Sequence, residues 1–141
     1  MIELINRQRP RKLNSHEWRE FAERALRAID STRQSVTIVF VSDAAIKKLN
    51  RDFRGKNCST DVLSFPTQAE DFEIANQSHL GEVVISVERA AAQAKENGLT
   101  FTNEVRQLIL HGLLHLSGYD HETDKGEMNR LELRLRKKLG I

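Results

Sequence analysis

The chain has one cysteine, two prolines, few aromatic residues and no long apolar run. A lone Cys58 excludes an internal disulfide and fits a reducing compartment, so the expected location is the cytoplasm. With no Pro/Gly-rich linker and no internal repeat, residues 1–141 are expected to form one domain. No apolar run approaches the ~20 residues of a membrane span, and the N-terminus lacks the profile of a secretory leader, so no membrane partner is expected. Six Phe, one Tyr and one Trp sit mostly at core-like positions, which leaves little surface for stacking on bases. The net charge of +2 says little by itself. The basic residues gather in three runs: Arg7, Arg9, Arg11 and Lys12; Lys47, Lys48, Arg51, Arg54 and Lys56; and Arg130, Arg134, Arg136, Lys137 and Lys138. On one face they would bind a polyanion; dispersed, each is a solvated helix face or a tail.

Periodicity predicts the elements. Ile2 to Ile5 is a short strand. Asn14, with Glu17 three residues on, opens a helix to about Ile29 whose inner face is Trp18, Phe21, Ala22, Ala25, Leu26 and Ile29. The β-branched run Val36 to Val41 reads as a strand buried on both faces. Ser42-Asp43 caps a helix to about Asn50 that buries Ile46 and Leu49, and Arg51 to Asp61 follows as a polar loop. Val62 to Phe65 is a strand stopped by Pro66, Thr67 to Ser78 an exposed connection with acidic Glu70, Asp71 and Glu73, and Val83 to Val87 another strand. Helices follow over Glu88 to Glu96, from Thr102 onward, and after an Asp124/Glu127 cap, the last with a stripe of Met128, Leu131, Leu135 and Leu139. This order predicts an α+β fold: a mixed four-stranded sheet packed against about five helices.

The chemistry concentrates in His111-Gly112-Leu113-Leu114-His115-Leu116-Ser117-Gly118-Tyr119-Asp120-His121. Histidines four apart share one helical face, about 6 Å apart along the axis. Gly118 can adopt a left-handed conformation and turn the chain so that His121 returns to the pair. Three imidazoles suit one Zn²⁺ per chain and leave a position open for water, the pattern of a catalytic site at the end of a buried helix. From Leu108 to Leu116 only the two histidines and Gly112 are not large apolar residues, so unpartnered imidazoles there would be costly. The competing reading is a pair of core histidines bonded to backbone carbonyls.

The segment has the spacing of the metzincin protease motif except that Gly112 stands where those proteases carry a glutamate base. Without that carboxylate, peptide hydrolysis loses its usual proton acceptor. Two readings of Gly112 remain open: a tolerated chance glycine, or a site where substrate or a neighbouring strand comes close.

HGLLHLSGYDH resembles the signature His-Gly-x-Leu-His-Leu-x-Gly-Tyr-Asp-His of the YbeY family of bacterial ribosomal-RNA maturation endoribonucleases. Leu49-Asn50, Phe53-Arg54-Gly55-Lys56 and Thr60-Asp61-Val62-Leu63-Ser64-Phe65-Pro66 resemble its central segment. Leu80-Gly81-Glu82-Val83-Val84-Ile85-Ser86, with Gln93-Ala94, Glu96 and Gly98, resembles the next. The resemblance implies zinc held by His111, His115 and His121, with Arg54 and His115 carrying the chemistry and Arg54 in the loop before the strand. A guanidinium forks onto phosphate oxygens, which suits that role. Asp61, Ser64 and Glu82 are read as positioning residues, Glu82 standing where the family commonly has Asp. Implied further are cleavage of single-stranded RNA in maturation of the 16S rRNA 3′ end and in ribosome quality control, with the small ribosomal subunit and assembly factors as partners.

Two other functions compete. A metalloprotease-like or small-molecule zinc hydrolase would need an acid from elsewhere in the fold, with Glu82 the candidate. A non-catalytic, zinc-stabilised ribosome-assembly factor would use the basic runs alone.

Overall fold

Side chains alternating between half-buried and buried from Ser35 to Phe40 build the strand around which the fold is organised, in a computed structural model that describes residues 1–13, 15–29, 35–67, 79–119 and 124–141. The elements run β1 (Ile2–Asn6), α1 (Ser15–Ile29), β2 (Ser35–Val41), α2 (Asp43–Arg54), β3 (Val62–Pro66), β4 (His79–Ser86), α3 (Val87–Asn97), α4 (Phe101–Leu116) and α5 (Glu127–Leu139). The sheet order is β1-β2-β4-β3, with β1, β2 and β4 parallel and β3 antiparallel to β4. Helical crossovers are needed to join parallel neighbours, and α1 supplies the first. The result is the mixed sheet and α+β class expected from the element order. No described helix is long and apolar enough to cross a membrane.

The main core lies on one face of the sheet. Val36, Ile38, Phe40, Val83 and Ile85 meet the stripe Trp18, Phe21, Ala22, Ala25 and Leu26 of α1 and the apolar surface of α4. Trp18 packs between Phe40 and Phe101, with ring centroids 5.2 and 5.8 Å away. Burying one such side chain stabilises by roughly 1.5–3 kcal/mol. The predicted N-cap Asn14 and the acidic patch Glu70, Asp71 and Glu73 lie outside the described residues.

Three expectations need correction. β2 is fully buried on only one face. Thr37 and Val39 on the other are half-buried, because the smaller cluster of Val41, Ile46, Leu63 and Val84 covers only part of it. α2 continues past Asn50 to Arg54 and stops at Gly55, whose φ of 68° suits glycine. Asn50 is buried and donates from Nδ2 to the Cys58 carbonyl at 2.9 Å, so a polar residue here ties down the following turn instead of ending the helix. β4 begins at His79, four residues before the predicted start.

Helix α4 is the centre of the molecule. Val105, Leu108, Ile109, Leu110, Gly112, Leu113, Leu114 and Leu116 are buried, while His111 and His115 are half-buried. Its contact with β4 explains Gly112. A Cβ there would stand 2.6 Å from Val83 Cγ1 and 3.0 Å from Cγ2, so a neighbouring strand is what requires the small residue. The Ser64 hydroxyl donates to the Gly112 carbonyl at 3.3 Å, joining β3 to the same point. The cap of α5 differs from the predicted one: Gly126 is the N-cap and has no side chain to bond, while Asp124, two residues earlier, accepts from the backbone N–H groups of Gly126 and Met128, both at 2.8 Å.

Candidate metal centre and its cleft

The i,i+4 spacing on α4 turns two imidazoles toward each other, with Nε2 of His111 and Nε2 of His115 3.1 Å apart. The rings meet edge to face, 77° between planes. Glu132 of α5 fixes which His111 nitrogen points inward. Its Oε1 lies 2.7 Å from His111 Nδ1. An ionised carboxylate can only accept, so that nitrogen carries the hydrogen, and Nε2 is the nitrogen left to offer a lone pair to a metal. The other carboxylate oxygen accepts from Arg136 Nη2 at 2.6 Å. Burial opposes the charged form of Glu132, but hydrogen bonds and charge from His111 and Arg136 outweigh it, and the carboxyl pKa falls below its ordinary value.

This donor set fits a cation. Two imidazoles bound to one tetrahedral zinc at about 2.0–2.1 Å place their nitrogens about 3.3 Å apart, close to the separation here. A carboxylate behind a ligating imidazole is also the usual support in such sites. Among the described residues no group of three or more His, Cys, Asp or Glu is gathered for a metal. His121, the third predicted ligand, lies outside the described residues, as does Asp120. The chain leaves α4 through Gly118, whose φ of 99° is the left-handed turn predicted there.

The pair opens onto a cleft of about 570 Å³ that Arg54, Lys56, Asp61 and Tyr119 also line. Arg54 occupies the last position of α2, not the following loop. Its Nη2 donates to the Ser64 carbonyl at 2.9 Å, and the rest of its fork makes no other bond among the described residues. Asp61 is half-buried and accepts from the Val62 N–H at 2.8 Å, which leaves its carboxylate at the cleft edge. The Ser64 side chain is committed to Gly112, so Ser64 positions the histidine helix. Glu82 is not part of this group. Strand alternation sets Val83 against Gly112 and leaves Glu82 exposed on the opposite sheet face, which removes it as a base or support for the histidines. Cys58 lines the cleft, exposed, with its carbonyl held by Asn50.

Sequence reading missed Glu132 and Arg136. The signal was present: Glu132 falls four residues after Met128 and three before Leu135, inside the buried stripe of α5, and Arg136 follows at i+4. An apolar-only reading of that stripe passes over the acid.

Fold and cleft together define a single-domain α+β protein whose polar chemistry collects beside a half-buried histidine pair. A family model described as Endoribonuclease YbeY matches residues 3–140. Relatives carrying that name include one from Solibacter usitatus, 42% identical and covering 96% of this chain and 86% of that protein. Another, from Geobacter metallireducens, is 35% identical and covers 99% and 94%. A third, from Nautilia profundicola, is 46% identical over 78% of this chain and 76% of its own. The solution structure of TM1509 from Thermotoga maritima superposes with a TM-score of 0.63 at 28% identity, covering 99% of this chain and 89% of that one. The chain belongs to the Endoribonuclease YbeY family.

Proposed function

We propose that this protein is a zinc-dependent endoribonuclease that cuts single-stranded RNA in the cytoplasm. We further propose that it acts in maturation of the 16S rRNA 3′ end and in ribosome quality control, with the small ribosomal subunit and its assembly factors as partners. The observation that carries the proposal is the convergence of two Nε2 atoms at 3.1 Å, one oriented by Glu132, in a cleft that Arg54 also lines. Membership of a family of named endoribonucleases supports it.

His111 and His115 would hold the zinc, joined by His121 on the strength of motif spacing. A zinc ion held there would supply Lewis acidity toward a phosphoryl oxygen and toward water. Arg54 has five N–H donors and gives one of them to Ser64, so the remainder can grip a phosphate and offset charge developing on it. Lys56 adds a second cation in the same cleft. Asp61 repels phosphate from its end of the cleft and so favours the Arg54 end. Tyr119 in the cleft offers a ring face for an unpaired base.

Gly112 argues against the protease reading. Val83 fills the space into which a side chain would start, so α4 cannot carry the glutamate base at that position. The deciding experiment incubates metal-replete and chelator-stripped protein with a defined single-stranded RNA, its duplex, and a peptide. Cleavage of the single strand alone, by the replete protein alone, is the expected result. Peptide cleavage, or RNA cleavage indifferent to metal, would reject the proposal. No cleavage by folded, zinc-loaded protein would favour the assembly-factor reading.

A further inference from the structure

The face of α4 that carries the histidines continues toward its N-terminus as a polar stripe. Leu108, Gln107 and Glu104 lie three, four and seven residues before His111. Opposite them, across a second cleft of about 510 Å³, stand Gln93 and Asn97 of α3 and Arg136 of α5. Asp61 and His111 line both clefts, so the two spaces adjoin at the histidine pair.

Their chemistry differs. The first cleft has two cations on its wall. The second has three side-chain amides, the buried carboxylate of Glu104 and an apolar surface from Leu99 and Leu108. Two of its polar groups are already engaged: Asn97 Nδ2 donates to Glu104 Oε1 at 2.8 Å, and Arg136 is held by Glu132. Gln93 and Gln107 are half-buried and make no side-chain hydrogen bond among the described residues. Primary amides beside apolar walls gain from a partner with matching donors and acceptors. Arg136 is already paired with Glu132, and the buried carboxylate of Glu104 adds a negative charge that the first cleft lacks, so the complement is an uncharged planar ring with polar edges.

We infer that this cleft reads a nucleobase: it takes the base adjoining the phosphodiester gripped at Arg54, adenine in preference to uracil, with Gln107 and Gln93 pairing to its edge. The inference rests on the endoribonuclease reading for the source of that base. Each glutamine amide presents one acceptor and one donor; adenine can satisfy two of them, through N6–H with N7 and N6–H with N1, whereas uracil has a single free ring N–H and can pair in this way with only one.

The test uses single-stranded oligonucleotides differing only in the nucleotide beside the cut. Wild-type protein is expected to favour adenine over uracil about tenfold in kcat/KM. The double variant Gln93→Leu, Gln107→Leu should bring that ratio near unity at unchanged zinc content and melting temperature. An unbiased wild type, or a double variant that keeps the preference, overturns the inference. A second measurement is independent of cleavage: adenosine and uridine are titrated separately while the side-chain amide resonances of Gln93 and Gln107 are followed. Adenosine alone should shift them. If RNA is cut and the amides stay silent, the base pocket falls and the nuclease stands. If no RNA is cut and the amides respond to adenosine, the pocket stands and the nuclease reading falls. Silence in both assays rejects both.

Discussion

Replacing Glu132 by glutamine tests how much of the metal centre depends on a residue that touches no metal. The carboxylate is 7% exposed and accepts two charge-assisted bonds, at 2.7 Å from His111 and 2.6 Å from Arg136. Such bonds contribute about 1.5–3 kcal/mol, against about 0.5–1.5 for neutral ones. Glutamine keeps the shape and can still accept from His111 Nδ1 through its carbonyl. It then turns an NH2 toward Arg136, donor against donor. The His111 contact thus weakens by about 1–1.5 kcal/mol, and competition for the amide orientation adds to that. One tenfold step in affinity is about 1.4 kcal/mol, so Glu132→Gln should weaken zinc binding by about tenfold to a hundredfold. Glu132→Leu offers His111 no acceptor and should weaken binding further. Its stability cost falls near the lower end of the roughly 3–5 kcal/mol for a broken buried pair, because Arg136 is 31% exposed and can turn to water. The assay is zinc competition against a chromophoric chelator, with melting of the metal-free protein as the control for folding. A Glu132→Gln protein that binds zinc within twofold of wild type would refute the reasoning.

Three further outcomes are expected. Gly112→Ala gains about 1 kcal/mol of helix propensity but drives a Cβ to 2.6 Å from Val83, and overpacking of about 1–3 kcal/mol should leave it destabilised in a urea titration. A gain in stability there would mean α4 lifts easily from the sheet. His115→Ala should bring bound zinc well below one ion per chain by atomic emission; unchanged stoichiometry would reject the site. Arg54→Glu should abolish RNA cleavage with zinc content intact, and wild-type rates would remove Arg54 from the mechanism.

The parts of the fold legible in the sequence were those set by periodicity. The apolar surface of α4 and the i,i+4 histidines follow from a 3.6-residue repeat, and the antiparallel β3–β4 pair from two strand patterns that follow one another in the sequence. Positions governed by tertiary contact were less legible. Asn50 looked like a helix end because its polar side chain is exposed in most settings, whereas here it is buried against the turn at Cys58. Glu82 became a candidate because the family resemblance puts a carboxylate at that position, but a strand sends successive side chains to opposite faces and this one points away from the histidines. Glu132 was hidden by the assumption that a buried stripe holds only apolar residues. Gly112 was noticed and left open, since only the nearness of Val83 says why it must be small.

Arg54 also shields an open sheet border. β3 is an outermost strand, and the guanidinium occupies one of its outward-facing carbonyls. Unshielded borders of this kind invite another chain to zip alongside. A variant at position 54 made to silence chemistry therefore also unmasks a seam for self-association, and light scattering separates a dead enzyme from a clumped one.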